Sequence, residues 1–179
     1  MEYNTVADIY SAHEKVRRGF LDITGGIADD EAAVVPEGEK WSVRHVAEHV
    51  AMVESSMARI CKKLIEAART EGTRSDGSVK MSPDFEAISA TIADRKFAAP
   101  EIVEPTGNVS ISDSLAALAK TTSMIDGMRP DLETLDLSGH AFRHPHFGEL
   151  TAIDWLILRN GHEHRHTGQI MKLLDAIRD

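Results

Sequence analysis

A chain of 179 residues, 42% apolar and 27% charged, is long enough for one domain with its own core and has the make-up of a soluble globular protein. Its formal net charge of −9, from 20 basic and 29 acidic residues, argues against binding to nucleic acid or to an anionic membrane surface, and no apolar run approaches the roughly 20 residues that span a bilayer. The lone Cys61 rules out an internal disulfide and any cysteine-based zinc site, and the N-terminal "MEYNTVADIYSAHEK" lacks a signal-peptide layout, so the expectation is one cytoplasmic domain over residues 1–179.

From Thr5 to about Ile27, apolar residues recur at Val6, Ile9, Val16, Phe20, Ile23 and Ile27, the period of an amphipathic helix, with His13 filling a gap in the stripe. A second helical pattern follows Trp41 with Ser42 as N-cap. It carries Val46, Val50, Val53, Met57, Ile60 and Leu64 and stops at the glycine of "EAARTEG". A short extra helix built on Phe85, Ile88 and Ile92 is entered through Ser82–Pro83. The third long pattern opens at Ser110 and Asp113, runs through Ile111, Leu115, Leu118, Ile125 and Met128, and is expected to end at "RP". The last begins at Thr151 and Asp154, again with capping-box spacing, and runs almost to Asp179. All six prolines are expected outside the four long helices, and "PEIVEP" is the nearest approach to a strand. The fold class is therefore all-α, a four-helix bundle.

A helix turns by about 100° per residue, so each apolar stripe serves as a compass. On the second pattern His49 sits about 60° from Val46, at the inner edge of the stripe, and His45 about 100° away, on the flank. On the last pattern His166 and His162 lie about 40° and 80° from Ile170, both toward the bundle; Glu163 lies about 20° away, and His164 points outward. His162 and His166, one turn apart, stack two imidazoles on one face, and His49 approaches from another helix. Imidazole nitrogen suits zinc, nickel, copper or iron, and three protein ligands with an open position describe a catalytic metal site better than a structural one. His13 reads as a satisfied core residue, and His45 and His164 as rim positions. "RHPHFG", with His144 and His146, reads as a turn leading into the last helix or as a source of proton-shuttling groups.

"GHEHRHTGQI" contains His-Glu-x-x-His, the zinc-protease signature, but the extended form of that signature fails. Gln169 and Lys172 stand where it requires glycine and histidine, and only 13 residues follow His166. Glu163 is left as a catalytic candidate beside His144 and His146, a base or a hydrogen-bonding support.

Two segments carry a family resemblance. "EKWSVRHVAEHVAMVE" resembles the Trp-Ser…His segment of DinB/YfiT-like proteins, and "RHPHFGELTAIDWLILRNGHEHRHTGQI" resembles their closing segment. "APEIVEPTGNVSISDSLAAL" is similar to the middle of the DinB-2 branch. The resemblance implies an up-down-down-up bundle holding a divalent metal, zinc or nickel foremost, on His49, His162 and His166, with Gln169 as a packing or supporting residue and homodimers common. It also implies a metal-dependent enzyme acting on a small molecule. The first expectation is transfer of a low-molecular-weight thiol to an electrophile; the alternatives are a hydrolase using metal-activated water and a non-catalytic metal-binding stress-response module.

Overall fold

The computed structural model describes residues 3–89 and 101–178. Its long helices are α1 (Val6–Thr24), α3 (Val43–Glu71), α5 (Ile111–Thr134) and α6 (Ala152–Arg178). Shorter elements lie between them: α2 (Asp29–Ala33), α4 (Pro83–Ser89), a 3₁₀ turn (Glu101–Val103), and the strands β1 (Ala141–His144) and β2 (Gly148–Thr151). Among the described residues no helix is long and apolar enough to cross a membrane.

Each long helix starts on a side-chain cap, the expected one at Ser42, Ser110 and Thr151 and a further one at Thr5. Thr5 with Asp8, and Ser42 with His45, form reciprocal capping boxes. Ser110 Oγ accepts the Asp113 N–H, and the Asp154 carboxylate takes both the N–H and the hydroxyl of Thr151. Gly72 ends α3 in the left-handed conformation, φ +69°, where a side chain would be strained.

The cross-helix hydrogen bonds fix the helix directions. Ile9 pairs with Asn160 and Arg17 with Glu163, so α1 and α6 run parallel. Tyr10 reaches Ile125 and Arg17 reaches Thr122, so α5 opposes α1. Glu54 pairs with Arg159 and Cys61 with Ala152, so α3 opposes α6. The order is up-down-down-up.

Two apolar clusters fill the bundle. One gathers Val6, Ile9, Met57, Ile65, Ile125, Trp155 and Leu156, the other Phe20, Val46, Val50, Leu118, Ile170 and Leu173. Between them, at the same level on all four helices, lie His13, Arg17, Glu54, Thr121, Arg159, Asn160 and Glu163, all buried. A polar layer thus divides the core in two.

Several sequence expectations are corrected. Pro130 lies inside α5, which continues to Thr134. The helix gives up one backbone hydrogen bond there, and burial of Leu132 and Leu135 carries it onward. The first helix stops at Thr24, ahead of the Gly25–Gly26 pair, and Asp29–Ala33 forms a separate short turn of helix. Residues 101–103 of "PEIVEP" are a 3₁₀ turn, whereas "AFRH" and "GELT" pair as an antiparallel hairpin, Ala141 opposite Thr151 and His144 opposite Gly148. The extra helix holds Phe85 and Ile88; Ile92 lies outside the described residues.

Candidate functional site

His49 on α3 and His162 and His166 on α6 meet on one seam of the bundle. One ring nitrogen from each lies within 4.8 Å of the other two. The Nε2 atoms of His49 and His162 are 3.3 Å apart. Two nitrogens bound at about 2.0–2.1 Å to a tetrahedral ion would lie roughly 3.4 Å apart, so this pair already has the spacing of an edge of the coordination polyhedron.

At two of the three rings the second nitrogen sets the tautomer, while His162 Nδ1 is buried without a partner among the described residues. His49 Nδ1 donates to the Val103 carbonyl at 2.8 Å, and His166 Nδ1 to Gln169 Oε1 at 2.8 Å. Both leave Nε2 as a lone-pair donor, the arrangement that orients metal-bound imidazoles. Trp41 covers the site, its ring centroid 4.9 Å from that of His49 and 6.5 Å from that of His166.

The Val103 carbonyl is held in place by a residue the sequence reading passed over. Glu48, buried one position before His49, accepts hydrogen bonds from Thr106 N, Thr106 Oγ1 and Gly107 N, and so docks the 101–108 segment on α3. Gly107 (φ +72°) packs against the His45 ring so closely that a Cβ there would overlap it. His45, with its ring on Ser42, thus caps α3 and seats this segment.

Glu163 faces the polar layer. Its carboxylate takes Arg17 Nε at 2.6 Å and Arg17 Nη2 at 3.1 Å, and His13 Nε2 stands 3.0 Å away. Arg17 Nη2 also reaches Glu54 Oε2 at 2.7 Å, as does Arg159 Nε at 2.8 Å, and Arg159 Nη2 contacts His13 Nδ1 at 3.3 Å. His13, Glu54 and Glu163 also have ligand-type atoms within 4.8 Å of one another. Two guanidiniums already balance the two carboxylates there, so an added divalent ion would bring uncompensated buried charge. His13 is thus a core residue with charged partners. Arg17 and Glu54 stand at apolar positions of their stripes, beside Phe20 and Met57, and that was their only signal in the sequence.

Burial pushes His13 down to about 3 and His166 down to about 4, and lowers His49 and His162 as well; neighbouring rings add to the effect at His166 and His162. All four are neutral when folded, the form that coordinates metal. Their unfolded values lie near 6.5, so below that pH the unfolded chain binds more protons. Stability of the metal-free protein from these groups is therefore full above about pH 6.5 and is lost as the pH falls toward the folded-state values of His13 and His166. Burial raises the Glu54 carboxyl, which acts with the opposite sign but is one group against four. Thermal melts of metal-free protein from pH 7.5 to 5 should show Tm falling below pH 6.5. A flat profile would show that the rings are not buried neutral.

The trio's cluster of ligand atoms holds none of the other sequence-flagged histidines among the described residues, although His144 lies near enough to lower the pKa of His162. His164 is exposed, and His144, in the hairpin, stacks on Phe147 at 4.3 Å and lies near Trp155. Its Nδ1 accepts the His146 N–H at 3.1 Å, so "RHPHFG" is the hairpin turn ahead of α6. Cys61 is buried and its thiol is pushed up to about 12, so it is no nucleophile.

The comparisons agree with this architecture. A solved structure described as TT2238, a four-helix bundle protein, superposes with a TM-score of 0.60 at 21% identity, over 93% of this chain and 98% of that one. An uncharacterized protein of Bacillus subtilis (strain 168), YuaE, is 24% identical over 153 residues, 85% of this chain and 88% of its own length. The sequence pattern of the DinB superfamily matches residues 12–170, a span that includes all three inward histidines and the whole polar layer, and the chain belongs to that superfamily.

Proposed function

We propose that His49, His162 and His166 bind one divalent ion, zinc or nickel foremost, and that the protein is a metal-dependent enzyme transferring a low-molecular-weight thiol to a small electrophile. The observation that carries this reading is the convergence of three neutral imidazoles, two of them with Nδ1 already committed to an acceptor. Three protein ligands leave a position for an exogenous ligand, as catalytic sites do and closed structural sites do not. A bound divalent cation lowers the pKa of a coordinated thiol and keeps it as the thiolate.

The chain's own residues support a thiol co-substrate. Cys61 is buried and its thiol is held protonated, so a thiol nucleophile would come from a co-substrate and not from this side chain. Trp41 shields one side of the trio, and Glu48, through the 101–108 segment, holds His49 in the ligating tautomer.

The test is mass spectrometry of metal-loaded protein incubated with glutathione, bacillithiol or mycothiol and a chlorinated or epoxide electrophile. The expected product is the thioether, in which carbon–sulfur bond formation displaces chloride or opens the epoxide; His162→Ala should not form it. Cleavage of esters or amides without thiol consumption would favour a hydrolase. No turnover with either substrate class would favour a non-catalytic binding module.

A further inference from the structure

We infer that Arg17 is the positioning residue of the three-histidine site, through the polar layer that divides the core. This rests on the metal reading above. Arg17 touches none of the three histidines; it acts on the helices that carry them. Its guanidinium joins Glu163 of α6 (Nε–Oε1 2.6 Å) to Glu54 of α3 (Nη2–Oε2 2.7 Å), and α6 answers with Arg159 on the same Glu54 oxygen at 2.8 Å.

Glu163 is one residue from His162 and three from His166, roughly 1.5 and 4.5 Å along the axis, and Glu54 is five residues, roughly 7.5 Å, from His49. The same two helices therefore carry both the metal ligands and the ion pairs, less than two turns apart. Apolar contacts on either side of the layer tolerate small axial slides, because they are non-directional. The fork of a guanidinium on two carboxylates does not, since its hydrogen bonds require fixed distance and angle. A one-residue slide of α3 on α6 would move His49 by about 1.5 Å relative to His162 and His166, enough to spoil the 3.3 Å nitrogen spacing.

Stability alone does not account for the layer. Ion pairs removed from water gain little over apolar residues of equal volume. Their best-attested use is to set the register of packed helices, and here that register is the one at which the ligands meet.

The test uses the full chain with cobalt(II) or zinc alone as probe, at a temperature where circular dichroism shows each variant folded. Arg17→Met should weaken cobalt affinity by about tenfold, as loss of supporting structure around a metal site does, and should shift the cobalt absorption bands. Arg17→Lys keeps the charge without the fork and should fall between wild type and Arg17→Met. Leu132→Ala, in the apolar cluster on the far side of the layer, should lower Tm while leaving affinity and spectrum unchanged.

Wild-type affinity and spectrum in Arg17→Met would overturn the inference. If that variant does not fold, unchanged binding in both Arg17→Lys and Glu163→Gln would overturn it. An equal loss of affinity in Leu132→Ala would also do so, by reducing the effect to general destabilisation. If the wild-type protein itself binds neither ion, the metal reading fails first and the positioning role falls with it.

Discussion

Glu54→Leu is expected to lower the unfolding free energy by about 3–5 kcal/mol, among the largest effects of any single substitution in this chain. Glu54 is completely buried and accepts from both Arg17 and Arg159. Removing it leaves Arg159 without its carboxylate and Arg17 with Glu163 alone, both guanidiniums now facing an apolar side chain. The exposed Arg129–Glu133 pair, one helical turn apart at 2.8 Å, provides the contrast. Breaking that pair should leave the stability nearly unchanged, because solvent screens it and two long side chains regain their freedom. Urea denaturation of the two variants measures the contrast. A Glu54→Leu loss below about 1 kcal/mol would mean that the layer is solvated in solution.

The second large effect is expected on adding a divalent metal. Saturating zinc or nickel should stabilise the folded protein by RT ln(1 + [L]/Kd), about 4 kcal/mol at a thousandfold excess over the dissociation constant. A chelator should reverse the gain. In His166→Ala the gain should fall below about 1 kcal/mol, since two imidazoles lacking the third hold the ion far more weakly. A wild-type melting temperature unaffected by metal and chelator would count against a built site. A gain of undiminished size in His166→Ala would place the ion elsewhere in the molecule.

Much of this architecture was legible in the sequence for a definite reason. Helical period and capping chemistry are local, so Thr5, Ser42, Ser110 and Thr151 mark helix starts that the structure keeps. His162 and His166 were legible because residues four apart on a helix share a face, and His49 because it borders the apolar stripe of Val46. What the sequence concealed is relational. Arg17 and Glu54 are charges at core positions, and which carboxylate meets which guanidinium depends on how α1, α3 and α6 slide past one another. Glu48 and Val103 matter only because a segment more than fifty residues away folds back onto α3. The hairpin escaped because β1 buries neither face, its exposed Phe142 breaking any alternation of apolar and polar residues. Pro130 misled because a local rule about proline yielded to burial of the leucines beyond it.

The most direct measurement is the metal content of the protein, purified without added chelator and dialysed against zinc or nickel, alongside His49→Ala and His162→Ala prepared in parallel. About one divalent ion is expected per wild-type chain and nearly none in either variant. A wild-type chain that retains no ion, or variants that retain a full equivalent, would contradict it.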